Sequence, residues 1–261
     1  MEIPPFEVLT FEVDEQRVCT ITMNRPAKRN ALSAKLVNEL IVALETARDA
    51  DGIRAVVLTG ADGVFCSGGD LSQMQGGGGA EPAIPFRGGF VELNLAFHSV
   101  GKPVIAKVRK YALAGGLGLM CACHFAISED SATFGTPEIK RGLWPMMIMA
   151  NIFRTVPRRK GLELVLLGDR ISSAEAVGIG LINRAVPADE LDDTVQQLAA
   201  RLAGNPPKTT ALGLEAWYAQ DHMSVDEALP YLQTQLMAVI GAGEAAEGMA
   251  AFFQKRKPDW G

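Results

Sequence analysis

The chain has 261 residues, of which 48% are hydrophobic, and it carries 30 acidic against 25 basic residues. A chain of this length favours one large domain with an appendage over two equal domains, and the net charge of −5 without an early basic run argues against a broad nucleic-acid surface. The acidic N-terminus has no apolar signal region, and no run of about 18 apolar residues occurs, so we expect no secretion signal and no membrane partner.

Four short runs in the first two-thirds of the chain are rich in β-branched residues and predict strands: Val18 to Met23, Ala55 to Gly60, Pro103 to Val108 and Phe125 to Asp130. Between the first two, Ser33 is a candidate N-cap for a helix whose apolar residues recur on one face, at Leu36, Val37, Leu40, Ile41 and Leu44. Strand, helix and strand with apolar faces indicate an α/β body.

From about Ser172 the pattern becomes helical. The predicted helices are SSAEAVGIGLI, ADELDDTVQQLAARLAG, PPKTTALGLEAWYAQ, a segment from Ser224 in which Glu227 completes a capping box, and GEAAEGMAAFFQKRK. The glycine- and proline-rich stretch from Gln73 to Gly89 predicts a mobile loop, either a linker or a lid over a ligand.

Two glycine pairs are candidates for places where the main chain itself binds a ligand. One lies in FCSGGDL, after the strand predicted to end at Gly60, and the other lies in YALAGGLGLM, before a helical run. A glycine turn exposes N–H groups that no side chain shields, and two such donors can bind one oxygen that becomes negative in a reaction. Each pair alone is equally compatible with an ordinary structural turn.

The four cysteines, Cys19, Cys66, Cys121 and Cys123, form no recognisable disulfide framework, and we expect them to be reduced and buried in a cytoplasmic protein. Cys121, Cys123 and His124 lie close together, but no second ligand cluster with suitable spacing follows. We therefore predict no metal site.

Six segments, taken together, resemble the crotonase, or enoyl-CoA hydratase/isomerase, superfamily: NRPAKRNALS, FCSGGDL, KPVIAKVRKYALAGGLGL, ATFGTPEIKRGL, ISSAEAVGIGLINRAVP and AFFQKRKPDW. They occur in the family's order over nearly the whole chain. The resemblance implies a spiral core of ββα repeats in residues 1–200 and a helical region in residues 201–261 that packs homotrimers, often paired as hexamers. It also implies acyl-CoA substrates and no cofactor other than the coenzyme A of the substrate.

The resemblance further implies an oxyanion hole made by the N–H groups of Gly69 and Gly115, with Glu138 as a catalytic acid/base. A thioester α-proton needs a positioned base, and a carboxylate in an apolar pocket has a raised pKa. The second glutamate of the family's hydratases would lie at Gly118, so two-glutamate water addition is not available in its usual form. A bulky apolar run, Met146 to Met149, either packs in the core or forms a dry pocket wall.

A single glutamate in a dry pocket favours proton transfer within the substrate, the Δ3,Δ2-enoyl-CoA isomerase reaction. Alternatives remain open at this point: a one-glutamate enoyl-CoA hydratase, another reaction of the superfamily such as thioester hydrolysis or dehalogenation, and an acyl-CoA-binding protein without turnover. Asp70 is a second acid near the turn, and the family pattern assigns it a supporting role.

Coenzyme A carries phosphates and an adenine, which basic and aromatic side chains bind. Phe252 and Lys255 are spaced to share one face of the last predicted helix, although a basic helix end also simply complements the helix dipole. The resemblance implies that both contact coenzyme A, reaching over from a neighbouring subunit, and that Lys28 and Arg29 bind near the pyrophosphate.

Overall fold

The computed structural model describes residues 2–70, 72 and 83–261. Its strands are Leu9–Val13 (β1), Val18–Met23 (β2), Ala55–Gly60 (β3), Val104–Val108 (β4), Tyr111–Leu113 (β5), Phe125–Glu129 (β6), Thr133–Gly135 (β7), Arg170–Ser172 (β8) and Arg184–Val186 (β9). Its α-helices are Ala34–Asp49 (α1), Phe90–Ser99 (α2), Gly115–Ala122 (α3), Met146–Thr155 (α4), Arg158–Leu167 (α5), Ser173–Gly178 (α6), Leu191–Ala203 (α7), Pro207–Gln220 (α8), Val225–Gly241 (α9) and Glu244–Gln254 (α10).

The strands form two sheets. The larger has the order β1-β2-β3-β4-β6-β9, in which β1 is antiparallel to β2 and all other pairs are parallel. The smaller pairs β5 in parallel with β7, and β7 antiparallel with β8. All four predicted strands are confirmed, with β4 beginning one residue later than predicted and β6 ending one residue earlier. The body is therefore α/β, as the sequence predicts.

Alternate residues of the larger sheet face two different cores. Val56 and Leu58 of β3 pack in the main core with α1, whereas Ala55 and Val57 pack against α7 on the opposite face. The strands are consequently buried on both faces, which explains their nearly continuous apolar sequences. The central strands are thus held rigidly between helical layers.

The predicted helix caps are confirmed. Ser33 Oγ accepts a hydrogen bond from the Leu36 N–H at 3.1 Å at the start of α1. At the start of α9, the Ser224 N–H donates to Glu227 Oε2 at 2.9 Å. The five helices predicted after Ser172 correspond to α6 to α10, so the helical C-terminal part is present.

The predicted placement of Lys255 on a helical face with Phe252 is wrong. Helix α10 ends at Gln254, and Lys255 adopts a left-handed conformation with φ 52° and ψ 38°. Its N–H bonds to the Phe252 carbonyl, and the Arg256 N–H bonds to the Ala251 carbonyl, which closes the helix end. Lys255 therefore leaves the helix in a direction that helical spacing does not give.

Ten residues of the predicted lid, 73–82, lie outside the described residues. The segment that follows them is attached to α1, because Asn38 donates to the Pro85 carbonyl at 3.1 Å and accepts from the Arg87 N–H at 2.6 Å.

Within the described ranges, no single helix has the length and apolar composition needed to cross a membrane, and α9 with α10 meets those criteria only as a pair bent by 67°.

Candidate active site

Three parallel chain segments end at the same edge of the smaller sheet. Cys66 forms a parallel bridge with Ala112 of β5, and Leu113 at the end of β5 lies opposite Gly135 at the end of β7. Each segment then continues for two or three residues to one of the predicted catalytic positions, which are Gly69, Gly115 and Glu138. Because the carboxyl ends of parallel strands meet at one edge, the fold brings these three positions together.

The Gly69 N–H is left free by the bonding of its neighbours. The Leu32 N–H donates to the Gly68 carbonyl at 2.8 Å, and the Asp70 N–H donates to the Leu32 carbonyl at 3.0 Å. In this parallel pairing the residue between, Gly69, directs its own N–H away from Leu32. Among the described residues, no acceptor bonds to the N–H of Gly69 or of Gly115.

The two free donors are close to each other. The Gly69 nitrogen lies 3.5 Å from the place where a Cβ would stand on Gly115, and Gly115 is the first residue of α3. The N-terminal position adds the positive end of the helix dipole. The pair therefore has the arrangement of an oxyanion-binding site.

Two neighbouring positions accept only glycine in this geometry. Gly68 has φ +105°, and a Cβ there would lie 2.6 Å from Ala114 Cβ. A Cβ on Gly116 would lie 2.7 Å from both the Cβ and the carbonyl oxygen of Cys66. The two glycine turns thus pack against each other, which explains why both sequences need small residues.

Arg25 holds the glycine turn of FCSGGDL, although no sequence pattern singles this residue out. Arg25 Nη2 contacts Asp70 Oδ2 at 2.8 Å, with the two side chains 16% and 6% exposed, and Arg25 Nη1 donates to the Ala31 carbonyl. Hydrogen bonds from Ser72 and from Arg25 lower the pKa of Asp70. Asp70 is therefore an ionised, fully engaged carboxylate that supports the turn.

Glu138 has the opposite environment. It lies in the 3-10 helix Pro137–Arg141 and is half-buried, and its Oε2 is shielded from solvent without a hydrogen-bond partner in the described part of the chain. Burial raises the pKa of Glu138, while a backbone hydrogen bond and the charge of Arg141 oppose that shift. Such a carboxylate is suited to accept and return a proton.

The space that a side chain at position 118 would occupy, where the family's hydratases have their second glutamate, is filled by Ile148. A Cβ on Gly118 would stand 3.3 Å from Ile148 Cα and well inside van der Waals contact with the Cβ and Cγ2 of that residue. Ile148 is 4% exposed, whereas Met146 and Met147 are 63% and 53% exposed. Of the predicted apolar wall, Ile148 is thus the member that packs against α3.

The four predicted coenzyme A residues fall into two groups. Lys28 and Arg29 lie beside the first glycine turn, because the Ser67 N–H donates to the Arg29 carbonyl at 3.1 Å. Phe252 is 79% exposed on α10, and no hydrogen bond, ion pair or ring contact within the described ranges joins it or Lys255 to that turn. For the two groups to bind the same coenzyme A molecule, Phe252 and Lys255 would have to come from a second subunit.

A cavity of about 540 Å³ lies elsewhere, between α2, α4 and α8. Its lining includes His98, His124, Trp217 and Tyr218 but none of the three catalytic candidates. His124 is structural, because its Nδ1 accepts from the Val104 N–H at 3.0 Å and its Nε2 lies 3.2 Å from the Tyr218 hydroxyl. Burial lowers the pKa of His124 to about 4.

Comparison with known proteins agrees with this geometry. The model of the enoyl-CoA hydratase/isomerase family matches residues 14–261. The chain belongs to this family. A probable enoyl-CoA hydratase of Rhizobium meliloti is 34% identical over 258 residues, covering 98% of both chains. The crystal structure of an enoyl-CoA hydratase from Mycobacterium smegmatis superposes with a TM-score of 0.89 at 30% identity and covers 97% of this chain and 99% of its own.

Membership of the enoyl-CoA hydratase/isomerase family makes the chain an enzyme of the crotonase superfamily, and the fold expected from the resemblance is confirmed. A probable enoyl-CoA hydratase of Dictyostelium discoideum, 30% identical over 247 residues and covering 94% of this chain and 87% of its own, is named mitochondrial. Family membership is thus compatible with more than one compartment, and a cytoplasmic location stays a prediction.

Proposed function

We propose that this enzyme isomerises 3-enoyl-CoA thioesters to 2-enoyl-CoA thioesters, with Glu138 as the single acid/base. The observation that carries the proposal is the combination of one half-buried carboxylate with a free oxygen and a glycine at the position of the second carboxylate. A reaction that moves one proton between two carbons of the same substrate needs one such group.

In the proposed step, the Glu138 carboxylate removes a proton from C2 of the 3-enoyl thioester. The electron pair of the broken C–H bond delocalises onto the thioester oxygen, which the N–H groups of Gly69 and Gly115 stabilise as a dienolate. Protonated Glu138 then returns the proton to C4, and the double bond moves from C3–C4 to C2–C3. The step is redox-neutral, and it requires no cofactor beyond the coenzyme A of the substrate.

Lys28 and Arg29 would bind the pyrophosphate side of the same substrate, and Phe252 and Lys255 of a neighbouring subunit would bind the adenine and its phosphate. Their cationic and aromatic chemistry supports this assignment, as does the position of Lys28 and Arg29 beside the Gly69 turn. The proposed active unit is therefore a homotrimer or hexamer.

A second candidate is enoyl-CoA hydration with Glu138 alone, and the names of the Rhizobium and Dictyostelium relatives favour it. Here Glu138 would take a proton from water as the water oxygen attacks C3, and would deliver a proton to C2. The same N–H pair would stabilise the enolate.

The deciding experiment follows ultraviolet absorbance of the conjugated enoyl thioester with two substrates. A rise with trans-3-hexenoyl-CoA and no loss with crotonyl-CoA supports isomerisation. A loss with crotonyl-CoA supports hydration instead. No change with either substrate favours acyl-CoA binding without turnover, or another reaction of the superfamily.

A further inference from the structure

We infer that Ile148 is a specificity-determining residue that favours proton transfer over water addition, an inference that rests on the proposed function. Its side chain occupies the volume into which any side chain on Gly118 of α3 would extend. It thereby replaces a water-holding group by hydrocarbon on one side of the site.

Position 118 lies on the catalytic side of α3. Gly115 and Gly118 are three residues apart in one helix and so share a face. Gly115 adjoins the segment of Glu138, because the Ala114 N–H donates to the Gly135 carbonyl at 2.9 Å. A group projecting from position 118 therefore extends towards the space that Glu138 and the free N–H groups surround.

Ile148 is held firmly in that space. Helix α4 follows the 3-10 helix of Glu138 after a short link, in which the Leu143 N–H bonds to the Glu138 carbonyl at 3.1 Å. One turn further along α4, Asn151 Nδ2 donates to the Gly118 carbonyl at 3.3 Å and to Asn94 Oδ1 at 2.6 Å. These bonds join α4 to α3 and α2 one turn from Ile148, and so hold the part of α4 that carries it.

The chemical consequence concerns the fate of the enoyl thioester product. Hydration forms a bond from the water oxygen to C3, passes one water proton to Glu138, and forms a C–H bond at C2. This step needs room for a water molecule beside C3, within reach of the Glu138 carboxylate, and the Ile148 side chain fills the space next to Gly118. By excluding water from this side of the site, the buried isoleucine favours return of the Glu138 proton to C4 of the dienolate over hydration of the product.

The first test compares hydration of crotonyl-CoA with isomerisation of trans-3-hexenoyl-CoA in Ile148→Ala and Ile152→Ala. Ile152 is a matched control, because it is a fully buried isoleucine one turn along the same helix. We expect Ile148→Ala to raise the ratio of hydration to isomerisation by roughly tenfold or more, and Ile152→Ala to leave it near the wild-type value. An unchanged ratio in Ile148→Ala, or an equal rise in both variants, overturns the inference.

The second test measures the packing itself by thermal unfolding. Gly118→Ala places a methyl group against Ile148, so we expect a lower melting temperature. In the Ile148→Ala background the added methyl group meets only Cβ, so we expect it to lower the melting temperature less than in the wild type, whereas Ile148→Val keeps the colliding Cγ2 and should not reduce the effect. Equal melting temperatures of Gly118→Ala and the wild type overturn the inference. If Ile148→Ala fails to fold, Ile148→Thr serves in the first test, because its hydroxyl group can hold a water molecule, and an unchanged ratio there also overturns the inference.

Failure of the proposed function gives a different result. In that case the wild-type enzyme hydrates crotonyl-CoA and does not isomerise the 3-enoyl substrate. The inference about Ile148 fails, by contrast, when the ratio of hydration to isomerisation does not respond specifically to substitution of Ile148.

Discussion

Glu138 combines two properties that an exposed glutamate lacks, a raised pKa and an oxygen that is shielded from solvent without a hydrogen-bond partner in the described part of the chain. We expect Glu138→Gln to lower kcat by roughly 100- to 10,000-fold, the usual contribution of general acid–base catalysis. Binding of the unreactive butyryl-CoA, measured by calorimetry, should change little, because the amide keeps the shape of the side chain. The control is Glu12→Gln, because Glu12 is an exposed residue of β1. Full activity in Glu138→Gln would falsify the proposed role.

The raised pKa of Glu138 also predicts a pH-dependent stability. Burial disfavours the charged carboxylate, so the folded protein binds this proton more tightly than the unfolded chain, in which the pKa is near 4.5. The Glu138 carboxyl therefore contributes stability that is lost as the pH rises from about 4.5 through its folded pKa, a contribution that Glu138→Gln lacks. We expect the variant to melt at a higher temperature than the wild type at pH 7 to 8, with the difference shrinking towards pH 4.5. A difference that is constant with pH would contradict this account.

Under the proposed function, Arg25 would act on the reaction through the first glycine turn, which it holds by its contact with Asp70. Replacement by Met leaves the 6%-exposed Asp70 carboxylate without its charged partner, and we expect a stability loss of about 1–3 kcal/mol. Because the turn holds the Gly69 N–H, kcat should fall by roughly 10- to 100-fold while KM changes little. Arg25→Lys should restore part of kcat.

The ion pair of Lys107 and Asp192 provides the comparison, since the Asp192 side chain is 62% exposed. Lys107→Met should cost less than about 1 kcal/mol and leave kcat unchanged. If both replacements change stability and kcat equally, Arg25 has no special role at the turn.

At the scale of elements, the start of α3 is a strained helix terminus. Ala114 precedes the helix with φ 51° and ψ −128°, a region that residues other than glycine rarely occupy. We expect Ala114→Gly to stabilise the protein by about 1 kcal/mol, a rise of roughly 2–4 °C in melting temperature. Gly116→Ala should have the opposite sign, with a loss of about 1–3 kcal/mol, because its methyl group would collide with Cys66. Calorimetric melting curves check both, and shifts of the same sign would contradict the geometry.

Elements with a strong local pattern were the ones that the sequence predicted well. Strands β2 and β3 are apolar runs of six residues, and α1 has both a capping serine and a regular apolar face. The strands of the smaller sheet have three residues each, too few for a periodic pattern, so the sequence does not predict them. Their pairing nevertheless places the catalytic candidates, so the decisive elements were the least predictable.

At the scale of the whole molecule, α9 and α10 expose an apolar surface that one chain leaves uncovered. Its members are Leu229, Leu236, Met237, Ile240, Met249, Phe252 and Phe253, each at least 50% exposed. Surfaces of this kind mark contacts between proteins. They support the prediction of a trimer or hexamer, which sedimentation analysis can test.

The proposed sharing of a substrate between subunits gives a sharper prediction. Phe252→Ala should raise KM for an acyl-CoA by roughly tenfold through the loss of adenine stacking. It should not change KM for the corresponding acyl-pantetheine, which has no adenine. Phe253→Ala is the matched control, because this neighbouring ring is equally exposed at 79%. Equal effects on both thioesters would show that Phe252 does not contact the nucleotide.

How much of the site could be predicted depended on whether the partners were neighbours in sequence. The glycine turns and Glu138 each stand in a short motif, and the resemblance selected them. The ion pair of Arg25 with Asp70 spans 45 residues, and the contact of Gly118 with Ile148 spans 30. No local pattern indicates such pairs, since they depend on how distant segments cross.

The freedom of the Gly69 and Gly115 N–H groups has a consequence for inheritance. Two of the three groups proposed to act on the reacting atoms belong to the main chain, whose N–H every residue except proline supplies. A substitution other than proline can abolish the bends that expose these groups, but it leaves the N–H donors themselves unchanged. Related proteins can therefore acquire new reactions by exchanging a few side chains that face the substrate. The main-chain groups that hold the thioester oxygen stay the same.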